Sequence, residues 1–461
     1  MNIVVLNGSP KAELSATLHY VFYLQKKFPD HRFRIFHVCA DYDKLERDAE
    51  AMAQLLAAVR ASDGVLWAFP VYSFLVHSYV KRLIELLNAR GLHEAFRDKY
   101  TATVSTSIHF FDHTAHNYMH AICEDWGMKF VGAHSMFTYD LLDKKERERL
   151  FGFGRHFLDA LRQRPPVAKT YEPVESRPLA YFPAPPPERL SLGGKKAVIL
   201  MDSAGPGQNL VRMVHRLRER LDGQAEVIDL SAVRIHSGCD GCFQCGSEGE
   251  CVFRNADDIN HLYLDKLAPA DILVMAGAVF DRYLSWRWKL FFDRGFFLPL
   301  VPWWPGKQLA FLVSGSLKQL PNLRQILEGY AEFHQANLAG IVTDELDDSA
   351  ELDRHLDCLA SRLIEGSQSG YVRPQTFLGV GSTRIFRDYL WGLLRPVFQV
   401  GHRYYRKHRM YDFPQYRFKN WLLITFGSLL TRLPGVRNRF FKSLKRELLR
   451  PLEKVLAREK D

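Results

Sequence analysis

The chain has 461 residues, of which 47% are hydrophobic and 25% are charged, a composition typical of a folded globular protein with more than one domain. Its seven cysteines are odd in number and mostly clustered, which argues against a disulfide framework and predicts a reducing, cytoplasmic setting. The N-terminus reads directly as a strand and turn, not as a secretory signal, and the longest apolar run, Trp421 to Leu430, is too short to cross a bilayer.

Strand and helix patterns alternate in residues 1–162 and alternate again in residues 196–368. The strand patterns of the first series are IVVL, RIFHV, GVLWA, TATVS and residues 130–133, and those of the second are AVILM, EVIDL, DILVM, LAFLV and residues 340–343. This alternation predicts two doubly wound parallel five-stranded sheets of order 2-1-3-4-5, each with a ligand position at the carboxyl ends of its strands. Residues 163–195 contain eight of the 22 prolines and are expected to form an extended linker.

The net charge of +10 belongs to the end of the chain. Residues 371–461 contain 20 lysines and arginines against 6 acidic residues, whereas residues 1–370 contain 42 against 46. We expect residues 369–461 to form a basic, mostly helical C-terminal extension rich in aromatic side chains. It could pack on the acidic body or on a partner subunit, anchor on an anionic membrane surface, or contact nucleic acid. Nucleic acid is disfavoured because no nucleic-acid-binding motif is present.

The turn after the first strand, Asn7-Gly-Ser-Pro-Lys11, has the residues expected of a phosphate-binding loop. Backbone N–H groups and the positive end of the following helix favour an anion at this place, Ser9 offers a hydroxyl and Lys11 a charge. Ser15 and Thr17 fall in the first helical turn, where their hydroxyls can also reach phosphate oxygens. The alternative is an ordinary turn, since Gly, Ser and Pro are common turn residues.

Two segments together, NGSPK after the first strand and FPVYSFLVHSYVKRLIEL after the third, resemble the NADPH-dependent FMN reductase group of the flavodoxin-like superfamily. The resemblance spans about residues 1 to 160 and implies a flavodoxin-like fold, bound FMN and NAD(P)H as the electron donor. It implies phosphate contacts from Ser9, Pro10, Lys11, Ser15 and Thr17, a shelf for the flavin ring at Pro70, Val71, Tyr72, Ser73 and Phe74, and further ring contacts from Ser105, Thr106 and Ser107.

The second series resembles the same family unevenly. Its first loop, DSAGPG, begins with Asp202, whose carboxylate would repel a phosphate, and its third strand continues into AGAVFDRY where the family prefers Pro-Val-Tyr. We therefore expect a tandem chain in which the first flavodoxin-like unit binds FMN and the second has lost its site.

Four cysteines lie within thirteen residues, at Cys239, Cys242, Cys245 and Cys251. Three successive cysteines at CxxC spacing favour a [4Fe–4S] cluster, because four thiolates are its usual ligands, and the loop resembles that of the iron–sulfur flavoproteins. Zinc and a vestigial loop without metal remain alternatives. The other cysteines, Cys39, Cys123 and Cys358, are expected to be buried small hydrophobic residues.

Four histidines, His109, His113, His116 and His120, have spacings that would place them on one helix face. A metal site, or a proton-transfer role for His109 beside the flavin, competes with the simpler interpretation of a polar helix face. Sequence alone identifies no catalytic acid or base.

Three functional hypotheses follow. The first is an FMN-dependent NAD(P)H oxidoreductase, in which a [4Fe–4S] cluster passes electrons singly to a small-molecule or protein acceptor, working as a homo-oligomer. The second is a cluster-free NAD(P)H:FMN or quinone reductase with a structural second unit. The third is a non-enzymatic protein that docks on a membrane surface through residues 371–461.

Overall fold

The computed structural model describes residues 1–175, 179–204, 207–298 and 300–413, and scattered positions after 413. Its strands are β1 (Asn2–Asn7), β2 (Arg32–Phe36), β3 (Gly64–Pro70), β4 (Tyr100–Ser107), β5 (Lys129–Phe137), β6 (Ala197–Met201), β7 (Glu226–Asp229), β8 (Ile272–Phe280), β9 (Tyr283–Leu284), β10 (Gln308–Ser314) and β11 (Asn337–Thr343). Its α-helices are α1 (Ala16–Lys27), α2 (Tyr42–Arg47), α3 (Ala49–Ala61), α4 (Ser78–Ala89), α5 (Asp112–Asp125), α6 (Lys144–Gln163), α7 (Asn209–Arg220), α8 (Cys245–Glu248), α9 (Ile259–His261), α10 (Trp286–Arg294), α11 (Pro321–Phe333), α12 (Ser349–Ser369), α13 (Phe377–Trp391) and α14 (Gln399–Lys407).

Both sheets have the strand order that the sequence predicts. The first is β2-β1-β3-β4-β5 and wholly parallel, and the second is β7-β6-β8-β10-β11, with the short β9 added antiparallel to β8. β1 and β3 have only buried or nearly buried residues after their first positions, as expected of central strands covered on both faces. The α/β architecture and the 2-1-3-4-5 order are therefore confirmed.

The buried apolar residues of the described part form three clusters. Two of them cover the outer faces of the two sheets, one cluster on each sheet. The third and largest cluster contains residues of both sheets, among them Val4 and Trp67 of the first and Met275 and Phe311 of the second. The two sheets thus share a central core, and residues 1–404 form one compact unit. Residues 405–461 form a second unit. The predicted domain boundaries at residues 162, 195 and 368 remain a prediction, because residues 1–404 pack as one unit and no break in packing separates the two halves.

The helices that follow the third strand of each sheet, α4 and α10, pack together beside the shared core, and ion pairs lie close to this contact. The fully buried Lys81 ammonium lies 2.6 Å from Glu85 and donates to the Phe280 carbonyl at 3.1 Å. Arg282 forms a bidentate pair with Asp125 at 2.5 and 2.7 Å. The contacts of Lys81 with Phe280 and of Arg282 with Asp125 cross between the two halves, and because buried charges tolerate the loss of a partner poorly, they help to fix how the two sheets meet.

Part of the predicted C-terminal extension belongs to the compact unit. The carboxylate of Glu332, at the end of α11, accepts hydrogen bonds from the backbone N–H groups of Thr376 and Gly379 at 2.9 and 2.8 Å, at the start of α13. Much of residues 414–461 lies outside the described residues, so the predicted helical extension there stays a prediction. The same holds for linker residues 176–178 and for residues 205 and 206.

Two local predictions were wrong. The amphipathic pattern of residues 43–61 predicts one long helix, but this segment forms two helices, because Asp48 leaves the helical conformation and its carboxylate accepts from the N–H groups of Glu50 and Ala51. Cys358 is exposed on α12, whereas Cys39 and Cys123 are buried as predicted. Among the described residues, none of the helices is both long and apolar enough to cross a membrane.

Candidate cofactor site

A cavity of about 420 Å³ opens at the carboxyl ends of β1, β3 and β4. It brings together most of the predicted FMN contacts, which are Ser9, Lys11, Ser15, Thr17, Pro70, Val71, Tyr72, Ser73, Phe74, Thr106 and Ser107. Its volume lies in the usual range of small-molecule and cofactor sites. The sheet order explains the assembly, since loops from neighbouring parallel strands meet at this edge.

The loop after β1 is ordered by its own side chains. The Ser9 hydroxyl accepts from the Lys11 N–H at 3.3 Å, and the Ser15 hydroxyl caps α1 by accepting from the Leu18 N–H at 3.3 Å. The other N–H groups of the first helical turn have no intrahelical acceptor, which makes this a favourable place for an anion. Burial lowers the pKa of Lys11, while the nearby thiols of Cys239 and Cys242 oppose that shift.

The segment after β3 is held in an uncommon conformation. Ser73 and Phe74 have φ of 34° and 71°, in the left-handed region, and the N–H and C=O groups of Tyr72 and Leu75 exchange two hydrogen bonds of 2.8 Å. Phe74 is buried against Phe111 and Tyr330. Left-handed non-glycine residues persist only where their surroundings hold them, and here Phe111 of the first half and Tyr330 of α11 supply that packing.

The opposite wall of the cavity comes from helices and loops of the second half of the chain and from residues 386–398. It is mainly aromatic and apolar, and its members are Phe292, Phe296, Phe297, Leu298, Leu300, Trp303, Tyr330, Phe333, Phe386, Leu394, Val397 and Phe398. Arg294 is the buried charge of this wall, with two hydrogen bonds to Asp257, at 2.6 and 3.2 Å. Its Nε has no hydrogen-bond partner among the described residues. Sequence patterns did not predict this wall, because no local pattern reports packing between the two halves of the chain.

The loop of four cysteines also lines the cavity, directly beside the loop after β1. The buried imidazole of His77 donates from Nε2 to the Cys239 carbonyl at 3.1 Å, while its Nδ1 lies 3.1 Å from the Cys39 sulfur. The Lys11 ammonium lies 4.3 Å from the centre of the Phe243 ring. A loop of the second half of the chain therefore closes over the predicted phosphate site of the first.

The predicted [4Fe–4S] cluster is not supported, and neither is zinc. Among the described residues, which include all four cysteines of the loop, there is no group of three or more His, Cys, Asp or Glu side chains that could hold a metal ion. The four sulfurs have different neighbours. The Cys245 thiol lies 3.8 Å from the Phe296 carbonyl, Cys251 lies 3.5 Å from the Arg294 guanidinium, and Cys242 is exposed.

The predicted histidine face does not form as expected. His109 precedes α5 and has φ of 60°. Its imidazole forms a hydrogen bond of 2.9 Å with the Asp112 carboxylate, and this bond raises the pKa of His109. His116 is buried and bonds the hydroxyls of Thr103 and Ser105 at 2.7 and 2.8 Å. The residues that line the cavity include neither His109 nor Ser105, nor Pro10.

The corresponding end of the second sheet is filled by its own side chains. The buried Asp202 carboxylate accepts from the Ser285 hydroxyl and lies 3.6 Å from Arg287. Asp344 accepts from the Ser314 hydroxyl and from the Gly315 N–H at 2.7 and 2.8 Å. Carboxylates therefore occupy the place where a phosphate loop would present donors.

A family model described as NADPH-dependent FMN reductase matches residues 1–140. No curated protein matches the chain. Among solved structures, FerB from Paracoccus denitrificans, a flavoenzyme NAD(P)H:(acceptor) oxidoreductase, is 17% identical, with a TM-score of 0.31 over 35% of this chain and 97% of its own. General stress protein 14 of Treponema denticola, in complex with FMN, is 14% identical, with a TM-score of 0.26 over 35% and 98%.

Structural likenesses at such TM-scores are too weak to argue from, so the weight falls on the family model. Its match covers β1 to β5 and includes the loop after β1 and the segment after β3, which line the cavity. The match of residues 1–140 to the NADPH-dependent FMN reductase family supports an oxidoreductase that works with FMN and NAD(P)H.

Proposed function

We propose that the chain is a tandem, cluster-free FMN-dependent NAD(P)H oxidoreductase that holds one FMN in the cavity between its two halves. The observation that carries this proposal is the meeting of the loop after β1 and the segment 70–74 in one cavity of about 420 Å³. FMN, when bound, supplies hydride acceptance from NAD(P)H and onward electron transfer. The protein residues bind and orient the cofactor and exclude water.

The donor chemistry of the cavity fits FMN. Lys11, the hydroxyls of Ser9 and Thr17 and the start of α1 provide cationic and hydrogen-bonding groups for a phosphate. The segment 70–74 and the aromatic wall provide apolar surface for a planar ring system, as cofactor pockets commonly do. Arg294, a buried cation, also lines the cavity.

The second half has a structural part in this proposal. Its own strand ends are closed by Asp202 and Asp344, while its Cys loop, α10 and α11 complete the wall of the first half's cavity. The acceptor of electrons is proposed to be a small molecule or a protein. Homo-oligomerisation stays a prediction.

Replacing Lys11 tests the phosphate site. Lys11→Met retains an unbranched apolar chain against Phe243 but removes the charge, and we expect the FMN dissociation constant to rise about 10- to 100-fold, the usual size of a lost charged hydrogen bond. Lys26→Met, at the exposed end of α1, is the matched control and should bind FMN as the parent does. Equal FMN affinity of Lys11→Met and the parent would place the phosphate elsewhere.

We further propose that the C-terminal unit lets the enzyme bind reversibly to an anionic membrane surface. Four exposed residues in helical positions, Leu422, Phe426, Leu429 and Leu430, have the spacing of one helix face. The basic residues Arg432, Arg437, Arg439 and Lys442 are also exposed. Apolar and basic surface in one short unit is typical of interfacial helices.

Vesicle co-sedimentation tests this membrane contact. The full chain should pellet with vesicles containing phosphatidylglycerol and much less with phosphatidylcholine alone, and high salt should release it. Phe426→Asp with Leu430→Asp should abolish pelleting without changing bound flavin. Equal pelleting on both vesicle types, or by the double variant, would rule out this docking mode.

A further inference from the structure

Cys242 and Cys245 form a CxxC pair in the cysteine loop. One thiol is accessible and the other is buried, an arrangement that suits thiol–disulfide exchange. Cys242 is exposed, whereas Cys245 is 9% exposed and begins α8. In such pairs the accessible thiol attacks a substrate disulfide and the buried thiol resolves the mixed disulfide. Both residues line the cavity that also contains the segment 70–74.

The two thiols influence each other electrostatically, and Cys242 also influences a cation of the cavity wall. The Cys242 thiol is close enough to interact electrostatically with both Cys245 and the Lys11 ammonium. Burial, reinforced by Cys242 and Cys251, raises the pKa of Cys245 to about 12, so at neutral pH it is a thiol that must lose its proton to act. The exposed Cys242, with Lys11 beside it, is the more accessible of the two for attack on a disulfide.

Main-chain hydrogen bonds hold the cysteine loop in place without using these two sulfurs. His77 holds the loop at the Cys239 carbonyl, and the N–H groups of Gly246 and Gly249 bond the carbonyls of Phe243 and Cys245 at 2.9 and 2.8 Å. None of these bonds uses the sulfur of Cys242 or Cys245. A change between dithiol and disulfide therefore leaves the main-chain anchors intact.

We propose that Cys242 and Cys245 form a redox-active dithiol that passes electrons from the cavity to a disulfide substrate, an inference that rests on the proposed function. An electron pair from NAD(P)H, delivered through the cofactor, and two protons convert the Cys242–Cys245 disulfide to two thiols. The Cys242 thiolate then attacks the substrate disulfide, forming a mixed disulfide and releasing one substrate thiol. Cys245 attacks the Cys242 sulfur, releases the second thiol and restores the internal disulfide.

Disulfide mapping on the full chain, using oxidised glutathione as the probe, tests this inference. After exposure to oxidised glutathione, peptides with Cys242 and Cys245 should be joined by a disulfide, and anaerobic NAD(P)H should return both to alkylatable thiols. Cys245→Ser should instead accumulate glutathione on Cys242. Cys242→Ser should lower NAD(P)H-driven glutathione reduction at least about ten-fold, because the attacking thiol is lost. Cys358→Ser, at an exposed cysteine on α12, is the matched control and should behave as the parent.

The flavin absorbance, read in the same samples, separates this inference from the proposed function. If NAD(P)H bleaches bound flavin while Cys242 and Cys245 stay alkylatable after oxidised glutathione, the dithiol inference is wrong and the oxidoreductase stands. If no flavin is bound but dithiothreitol and oxidised glutathione still interconvert the pair, the dithiol exists and the electron source is wrong. Iron held by these cysteines in the anaerobically purified chain would overturn the inference directly.

Discussion

Three histidines of the compact unit, His77, His116 and His334, are buried in settings that favour the neutral imidazole. Burial is the main cause, and it lowers the pKa of His77 and His116 to about 4 and that of His334 to about 3. Each of them is hydrogen-bonded, as His116 is to Thr103 and Ser105. These buried histidines destabilise the folded state only at acidic pH, where they bind protons in the unfolded chain but stay neutral in the folded chain.

The pH dependence of stability follows from this difference for His116. Between about pH 6.5 and 4 the unfolded state binds a proton at this residue and the folded state does not, so the free energy of unfolding falls as pH falls. In His116→Asn, the fall in the free energy of unfolding between these pH values should be smaller by up to about 3 kcal/mol. Chemical denaturation at several pH values measures it, with His355→Asn, at an exposed position, as the control. An unchanged pH slope in His116→Asn would contradict the assignment.

At the residue scale, sequence reasoning predicted the local part of the site and missed the distant part. Ser9, Lys11 and Thr17 follow one strand within a few residues, so a motif can identify them. Arg294 reaches the site only because two sheets pack together, and no spacing along the chain encodes that contact. The cluster was predicted from cysteine spacing, which gives the number of thiols but not the direction in which each sulfur points.

At the scale of elements, the Cys loop depends on a glycine. Gly241 has φ of 63°, and a Cβ there would lie 2.4 Å from the Tyr72 hydroxyl and 3.0 Å from Cε of Lys11. The loop therefore approaches both the predicted phosphate loop and the ring shelf too closely for a side chain. This contact ties the cysteines to the cavity.

Gly241→Ala should displace the loop, since it adds a steric clash to a strained backbone. We expect the alkylation rate of Cys239 to rise severalfold and FMN binding to weaken, measured by timed alkylation with mass spectrometry and by flavin titration. Gly223→Ala is the matched control, because Gly223 has φ of 68° but nothing within 4 Å of the added Cβ. If both variants behave alike, backbone strain and not contact with Tyr72 explains the effect.

The strands could be predicted because their apolar runs are buried on both faces and end at turn residues. The interruption between α2 and α3 could not, since the amphipathic pattern continues through Asp48 and only the side-chain cap reveals the break. The role of α13 was also missed. Its helix start is held by Glu332, a contact that links segments more than forty residues apart.

At the scale of the whole molecule, the central core belongs to both sheets. The sequence indicates two repeated halves, but it does not indicate that they fold around one interior. The repeat can be predicted because each half has its own local strand and helix patterns. The packing of α4 on α10 joins segments far apart in the chain, so no local pattern predicts it.

A shared core predicts cooperative unfolding of residues 1–404. Calorimetry of the full chain should show one main transition for both sheets, because separating them would expose the core and remove Phe280 and Asp281 from the buried Lys81 ammonium. Lys81→Met should lower the free energy of unfolding by about 3 to 5 kcal/mol, the usual effect of breaking a buried pair. Lys26→Met should leave the transition in place. Two well-separated transitions in the parent would show that the halves are independent.

The stoichiometry of FMN tests the central claim most directly. The first half offers a phosphate loop and a ring shelf, while Asp202 and Asp344 close the equivalent end of the second half. Isothermal titration of the flavin-depleted full chain with FMN should therefore give one site per chain, weakened in Lys11→Met. Binding of two FMN per chain, or of none, would contradict the account.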